Sequence, residues 1–303
     1  MAAPINTGAI AKLLKPGLNK VWGKEYTEHP VEYTDLFEVF TSDMNYEEDV
    51  MVPGFGLVPV KAQGSATPYT GLQQGPTSRY THVAYGLGFI ITREAIDDNK
   101  YEKAALGNTK TLAFSFRQTK EVVCANVYNR GFNSSYTGGD GVCLFSSAHP
   151  SSNGNFSNVI GTAADLSEAS IEDQCINIMN ATDDVGKKIS LMPKKLIVPT
   201  AEVFNATRIL RSTGQNDSAN NAINALKNMN MFSDGASPNH YLNDTDAWFI
   251  RTNAPEGMKF FQRVAAEFNS DGDFDTDNIK YKGYERYSAG WTDPRGAWGS
   301  AGA

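Results

Sequence analysis

The ten residues FIITREAIDD, positions 89–98, join two elements with different hydrophobic periods and decide the fold class. Before the junction, residues 83–91 alternate large apolar side chains with mostly small ones, which predicts a strand. Thr92 can cap a short helical turn, and Asp98 or Asn99 can cap a second, longer helix. Together with the strands and helices found further along the chain, this junction predicts an α+β fold.

The longer helix is predicted over about residues 99–130, a rod on the order of 45 Å long. Gly131 ends it, in the position where glycine is favoured just past a helix C-terminus. Few small domains need a helix of this length. Its apolar residues recur at spacings of four and seven and therefore share one face: Tyr101, Ala105, Leu112, Phe116, Val123 and Val127.

Before the junction, residues 47–91 are predicted to form one long, projecting hairpin. The outgoing side, residues 52–60, is rich in valine, proline and glycine, and a polar tip with more glycine and proline follows, so the segment cannot be helical. A long two-stranded hairpin is marginally stable by itself. We therefore expect this segment to lie on a partner surface.

The amino-terminal segment, residues 1–46, is predicted to be an arm with short helical turns and no compact core. Its apolar residues are interrupted by Pro16 and Pro30. An arm of this kind must dock on another surface.

After the long helix, residues 166–255 predict a mixed lobe of helices and strands. Asp165 with Glu168 resembles a capping box, and Ile171, Cys175 and Ile178 follow as a helical stripe together with Met179. The elements predicted downstream are a strand at 196–198, a helix from 200 to 210, and strands at 247–250, 259–268 and 279–291. An acidic loop, residues 270–277, separates the last two strands.

The composition is that of a globular protein and sets limits on partners. Of the 303 residues, 41% are hydrophobic and 20% charged, which excludes a disordered chain. The net charge is −7 and basic residues do not cluster, so the protein does not coat nucleic acid through a basic face. No apolar run approaches the length of a membrane span, and we expect no membrane association.

No pattern in the sequence predicts catalysis, a cofactor or a metal. Residues 271–277 place carboxylates at alternate positions, as calcium ligands require, but they lack the glycine and closing glutamate of an EF-hand, so a solvated loop is predicted. Ser146, Ser147 and His149 lie close together without the nucleophile elbow of a hydrolase. The glycine-rich residues 137–141 lack the lysine of a phosphate loop and predict a turn.

The order of elements resembles the Hong Kong 97-type fold of tailed-phage major capsid proteins. Residues 89–98 look like the segment in which that family's extended loop returns to its spine helix. Further stretches look like the Mu-like prophage major head subunit family: LKPGL at 14–18, RYTH at 79–82, YTGGDG at 136–141, NHYL at 239–242, ERYS at 285–288 and GWTD at 290–293. The resemblance spans nearly the whole chain.

The resemblance implies a structural protein without an active site, whose copies close into an icosahedral shell around double-stranded DNA in a virion assembled in the host cytoplasm. It implies an N-terminal arm at 1–46, an extended loop at 47–91, a peripheral domain at 92–165, an axial domain at 166–255, and late strands at 256–303 that return to the peripheral domain. The loop would lie over a neighbouring subunit, and we single out Phe55, Tyr69 and Arg79 as contacts from their positions.

The same resemblance implies a portal protein and a possible decoration protein as partners. Because the arm starts close to Met1, we expect a separate scaffold protein. The net negative charge fits a shell lining that does not attract DNA phosphates.

Two other functions compete with a phage shell. The first is an encapsulin, a cellular compartment shell of the same fold, which should carry an N-terminal helix with an apolar face for cargo peptides; Pro16 fits that poorly. The second is a small-molecule enzyme built on the mixed lobe. It would need convergent acids, bases or metal ligands, and the sequence shows none.

Overall fold

A computed structural model describes residues 7–71, 74–97, 101–215, 222–273 and 275–303, and side chains within these ranges except at 7–16, 96–97 and 101–104. The helices are α1 (Thr7–Glu28), α2 (Tyr33–Leu36), α3 (Arg93–Asp97), α4 (Tyr101–Asn129), α5 (Glu168–Asn180), α6 (Val203–Arg211) and α7 (Ala225–Asn228). The strands are β1 (Glu38–Thr41), β2 (Tyr46–Val50), β3 (Thr77–Thr81), β4 (Val83–Ile91), β5 (Pro193–Pro199), β6 (Ala236–Asn239), β7 (Trp248–Thr252), β8 (Met258–Gly272), β9 (Ile279–Trp291) and β10 (Ala297–Ser300). None of the described helices is both long and apolar enough to cross a membrane.

The first sheet has the strand order β1-β8-β9-β4. Its centre is the antiparallel hairpin of β8 and β9, as the sequence predicts. The predicted pairing of β4 with the outgoing side of the 47–91 loop is wrong, because β4 pairs with β9 over its full length. Aromatic stacking explains the preference: Tyr85 lies 4.6 Å from Tyr287 and Phe89 lies 4.9 Å from Tyr281, measured between ring centroids. The proline-containing outgoing side offers no such partners.

The long helix α4 buries the predicted face. Ala105, Leu112 and Phe116 are buried, and Val123 and Val127 pack half-buried against the core. This agreement follows from the helical period, which places residues four and seven apart on the same side.

Specific residues mark where α3 begins and where α4 ends. The hydroxyl of Thr92 accepts a hydrogen bond from the Ala95 amide at 3.4 Å, so α3 has the predicted cap. The second predicted cap, Asp98 or Asn99, lies outside the described residues, as does the Tyr101 side chain. Gly131 follows α4, and a β-carbon there would come within 2.5 Å of the Phe145 ring, so the close packing requires glycine.

The amino-terminal segment contains a continuous helix, so the predicted arm of short turns is wrong. α1 runs through Pro16, although an internal proline removes one main-chain hydrogen bond and crowds the preceding turn. Tertiary packing outweighs that cost. Leu18 and Trp22 are buried, and the Trp22 ring stacks on Phe268 with 5.1 Å between centroids.

The second sheet, β10-β7-β5-β6, joins two hydrophobic cores. Leu196 and Val198 of β5 face one core with α5 and α6, whereas Ile197 between them faces the other core with α4. The predicted domains place residues 297–300 among the late strands that return to the peripheral domain. In the structure these residues instead form β10 beside β7.

The predicted capping box of Asp165 and Glu168 is wrong, because α5 begins two residues later than an N-cap at Asp165 would place it. Ser167 is the N-cap, and its hydroxyl accepts from the Ser170 amide at 3.2 Å while the Ser170 hydroxyl accepts from the Ser167 amide at 3.0 Å. A serine thus takes the role that glutamate or glutamine usually plays three residues after the cap. The predicted stripe of α5 is nevertheless buried.

A buried ion pair between Lys120 of α4 and Glu285 of β9 links the long helix to the first sheet. Lys120 also donates to the side-chain carbonyl of Gln262 at 3.1 Å, and the Tyr26 hydroxyl of α1 donates to Glu285 at 3.0 Å. Both charged side chains are almost fully buried, and burial lowers the pKa of Lys120. The next residue, Glu121, accepts from the Tyr33 amide at 2.7 Å, which holds α2 against α4.

The Lys120–Glu285 pair gives a stability prediction. Glu285→Gln keeps the shape but leaves the buried ammonium without a counter-charge, which costs about 3–5 kcal/mol. We expect urea unfolding to show a loss of that size. The double variant Glu285→Gln/Lys120→Met removes both charges and should recover most of the loss. If the double variant is as unstable as the single variant, the unpaired charge is not the main cause of the lost stability.

His82 lies between β3 and β4 in a buried position where the loop meets the first sheet. Its two ring nitrogens lie 2.9 Å from the Ser288 hydroxyl and 3.0 Å from the Ser42 hydroxyl. Burial, with a smaller contribution from Arg286, lowers the pKa of His82, so the folded protein holds it neutral.

A lowered histidine pKa makes folding weaker in acid. Between about pH 7 and pH 5 the unfolded chain protonates His82, with a pKa of about 6.5, more fully than the folded chain, in which the pKa is lowered, so stability falls as pH falls. We expect His82→Gln to lose less stability than the wild type over this interval, measured by urea unfolding at both pH values. Equal losses in the two proteins would contradict the buried, neutral assignment.

Candidate assembly surfaces

The loop that leaves the first sheet has a short, regular stem. β2 and β3 pair antiparallel from Tyr46 opposite Thr81 to Val50 opposite Thr77. Two further main-chain hydrogen bonds, from Met51 to Pro76 and from Gly75 to Met51, extend the pairing by one step. The described residues between Met51 and Gly75 form no strand, so the hairpin is much shorter than the 47–91 prediction.

Beyond the stem, residues 51–76 (the loop) expose large apolar side chains. Val58 is 93% exposed, Val60 100% and Tyr69 95%, values that leave almost no contact with the rest of the chain. Val52, Phe55 and Leu57 are also exposed. Apolar side chains grouped in this way mark a surface that binds a partner.

The structure does not bring the three predicted contact residues together. Phe55 and Tyr69 lie on the exposed loop. Arg79 lies in β3, where its guanidinium stacks on the Tyr46 ring at 3.8 Å and pairs with Glu48 at 3.7 Å. Arg79 therefore has partners within its own stem.

A polar cluster that the sequence did not predict anchors the stem to the first sheet. Lys259 of β8 pairs with Asp49 of β2 at 2.6 Å and with Glu256. The Tyr80 hydroxyl shares a hydrogen bond of 2.5 Å with Thr292, which also donates to Asp49 at 3.1 Å. Asp49 and Lys259 are 210 positions apart, so no local signal could have revealed the contact.

A cleft separates the loop base at Pro53 and Gly54 from the turn at Asp183 and Asp184. Its buried cation, Arg295, pairs with Asp184 at 2.7 Å and with Asp293 at 3.3 Å. Because these charges neutralise each other within the chain, the cleft has the character of a structural contact and not of a binding site.

The serine–histidine group of the sequence does not form a catalytic triad. His149 is buried, with one ring nitrogen 2.6 Å from Asp140 and the other 3.2 Å from both the Leu144 carbonyl and the Asn158 side chain. Ser146 accepts a hydrogen bond from the Ala148 amide instead. The histidine thus serves to hold its own loop together.

The acidic loop is closed by contacts within the hairpin. Asp273 pairs with Lys280 at 2.6 Å, and its amide donates to the Asn278 carbonyl at 2.8 Å. Across the ranges that the structure describes, no three histidine, cysteine or acidic residues converge in a way that could hold a metal ion.

Solved structures with a similar fold are shells. The crystal structure of a virus-like particle from Pyrococcus furiosus matches with a TM-score of 0.55 at 10% identity, over 93% of this chain and 97% of that one. The procapsid of bacteriophage JBD30 matches at 0.51 and 14% identity, over 97% and 76%. Mycobacterium phage Che8 matches at 0.51 and 11%, over 89% and 90%. At these identities the likeness shows the fold alone.

The sequence itself decides the family. No curated protein matches it. The family described as phage capsid protein matches residues 75–299, which is well over half of the chain and includes α4 and the strands from β3 to β9. The chain therefore belongs to the phage capsid protein family, and its fold is the Hong Kong 97-type fold of tailed-phage capsids.

Proposed function

We propose that this chain is the major capsid protein of a tailed phage, whose copies close into an icosahedral shell around double-stranded DNA. The observation that supports this best is the loop, which carries Leu57, Val58 and Val60 into solvent on a firmly anchored stem. Burying such side chains contributes about 1.5–3 kcal/mol each. A neighbouring copy in a closed shell can cover them at every position.

The proposal assigns a role to each segment. Residues 1–46 dock along the subunit edge, with α1 packed on α4 as their rigid part. We assign the extended loop to 47–91, the peripheral domain to 92–165, the axial domain to 166–255 together with β10, and the remaining late strands to the peripheral domain. In the loop, Phe55 and Tyr69 are the proposed contacts to a neighbouring subunit, whereas Arg79 supports the stem.

Further partners follow from the role of a phage shell. We propose a portal protein, a separate scaffold protein, and packaged DNA bound without sequence-specific contacts, with assembly in the host cytoplasm. One similar capsid, that of bacteriophage JBD30, is described as decorated with minor capsid protein trimers, and we extend a decoration protein to this shell. The net charge of −7 suits an inner surface that repels phosphates.

The compartment-shell alternative is favoured less, but not because of Pro16. Pro16 does not break α1, so the expectation that this proline disfavours an N-terminal helix is wrong. The described side chains of α1 supply a better reason. From residue 17 to 28 its apolar residues, Leu18 and Trp22 among them, face the chain's own core, and the outward positions are polar. That stretch has no apolar face for a cargo peptide.

Replacing residues 53–74 by a two-residue Asn-Gly turn tests the docking role of the loop. The stem pairing and the Asp49–Lys259 contact remain, so we expect an unchanged circular dichroism spectrum and melting temperature. Shells, tubes or rings seen by negative-stain electron microscopy of the wild type should be lost, because the variant lacks the apolar surface that a neighbour covers.

Point variants separate apolar contact from loop length. Leu57→Ser/Val58→Ser/Val60→Ser should reduce assembly, and the matched control Gln63→Ser/Thr67→Ser, at exposed polar-tip positions, should not. Shells of normal yield from the loop replacement would reject the docking role.

A further inference from the structure

Two helices of the mixed lobe cover one face of the second sheet from opposite edges. α6 packs on β5 and β6. The C-terminal end of α5 borders Trp298 of β10, at the other edge, and the Thr182 carbonyl just beyond it accepts from Arg295 at 2.9 Å. Both helices contribute to the same core, and the Asn205 side chain of α6 donates to the Leu166 carbonyl just before α5 at 2.9 Å.

The outward side of α6 is apolar and positively charged. Phe204, Arg208 and Arg211 are spaced by four and three residues, so they share one side of the helix. The Phe204 side chain is 76% exposed. Among the residues that the structure describes, neither arginine has a carboxylate partner.

The outward side of α5 is apolar and negatively charged. Ile176 is 50% exposed, and Asp173, one turn earlier on the same side, is exposed and has no cationic partner in the described part of the chain. Glu172 lies next to it, half-buried. The two helix surfaces therefore complement each other in charge, and each carries one large exposed apolar side chain about one turn from its charged residues.

We infer that α6 of one copy binds α5 of the next copy around the axis of each pentamer and hexamer. This inference rests on the proposed shell function. One chain carries both surfaces and the two differ, so a contact between copies is head-to-tail and forms a ring where the rotation closes. With Phe204 against Ile176, antiparallel helices place Arg208, about 6 Å further along α6, beside Asp173, about 4.5 Å along in the same direction. Parallel helices would separate these charges.

Cross-linking tests the contact directly. The double variant Phe204→Cys/Ile176→Cys is assembled, oxidised and separated on a non-reducing gel. The three native cysteines are buried, so they do not compete. Cysteines that face each other across packed helices come within disulfide reach, and we expect a ladder of covalent oligomers up to closed rings. Each single variant, with one cysteine per copy, can give dimers at most.

Charge reversal tests the same contact by assembly. Arg208→Glu/Arg211→Glu should lower the yield of sedimenting shells about tenfold, equivalent to 1.4 kcal/mol, and Arg208→Lys/Arg211→Lys should not. Adding Glu172→Arg/Asp173→Arg to the reversed chain should restore the yield. Circular dichroism of each variant separates loss of contact from loss of fold.

The outcomes distinguish the two proposals. Shells that form without a ladder, or a reversal that the compensating pair does not repair, overturn the α5–α6 contact and leave the shell function standing. A wild-type chain that forms no shell, tube or ring, either alone at high concentration or co-expressed with its scaffold protein, counts against the shell function and the contact together.

Discussion

The buried ion pair between Lys120 and Glu285 is the contact on which the arrangement of the molecule depends. It fixes α4 against β9, and through Tyr26 and Gln262 it also holds α1 and β8. A buried charge pair adds little net stability compared with apolar residues, but it tolerates few alternative packings, because every misplaced arrangement leaves a charge without a partner. The register between the long helix and the first sheet is thereby set by electrostatics, while the surrounding aromatic rings provide most of the buried area.

Strand β5 makes the two halves of the chain one folding unit. Its successive side chains pack into different cores. Ile197 belongs to the core that contains α4, and Leu196 and Val198 belong to the core that contains α5 and α6. The surfaces proposed for assembly are the loop and the outward sides of α5 and α6. Their positions relative to each other are therefore fixed. Such a relation is what a closed shell demands of a repeated subunit.

Features determined by local sequence could be predicted, and those determined by distant partners could not. The alternation of 83–91 and the Thr92 cap act within a few residues, and the structure has both. Gly131 does follow α4, but it is required by the Phe145 ring, 14 positions further along the chain. The pairing of β4 depends on β9, almost 200 positions away, and the continuity of α1 through Pro16 depends on a pocket built by α4 and β8. The proline and glycine content of the loop predicted a backbone that is not helical, yet the anchor at Asp49 and Lys259 joins residues with no shared motif.

The way the loop is attached has a mechanical consequence. The returning side continues through His82 into β4, which is bonded to β9 along nine residue pairs. A neighbour that pulls on the loop along the strand direction loads all of these pairs in shear, so they resist together. The outgoing side follows β1, which pairs with β8 at only four residue pairs, and the ion pair of Asp49 with Lys259 adds a point contact. This shorter attachment yields first. The subunit thus transmits tension through one strand and can pivot about the other.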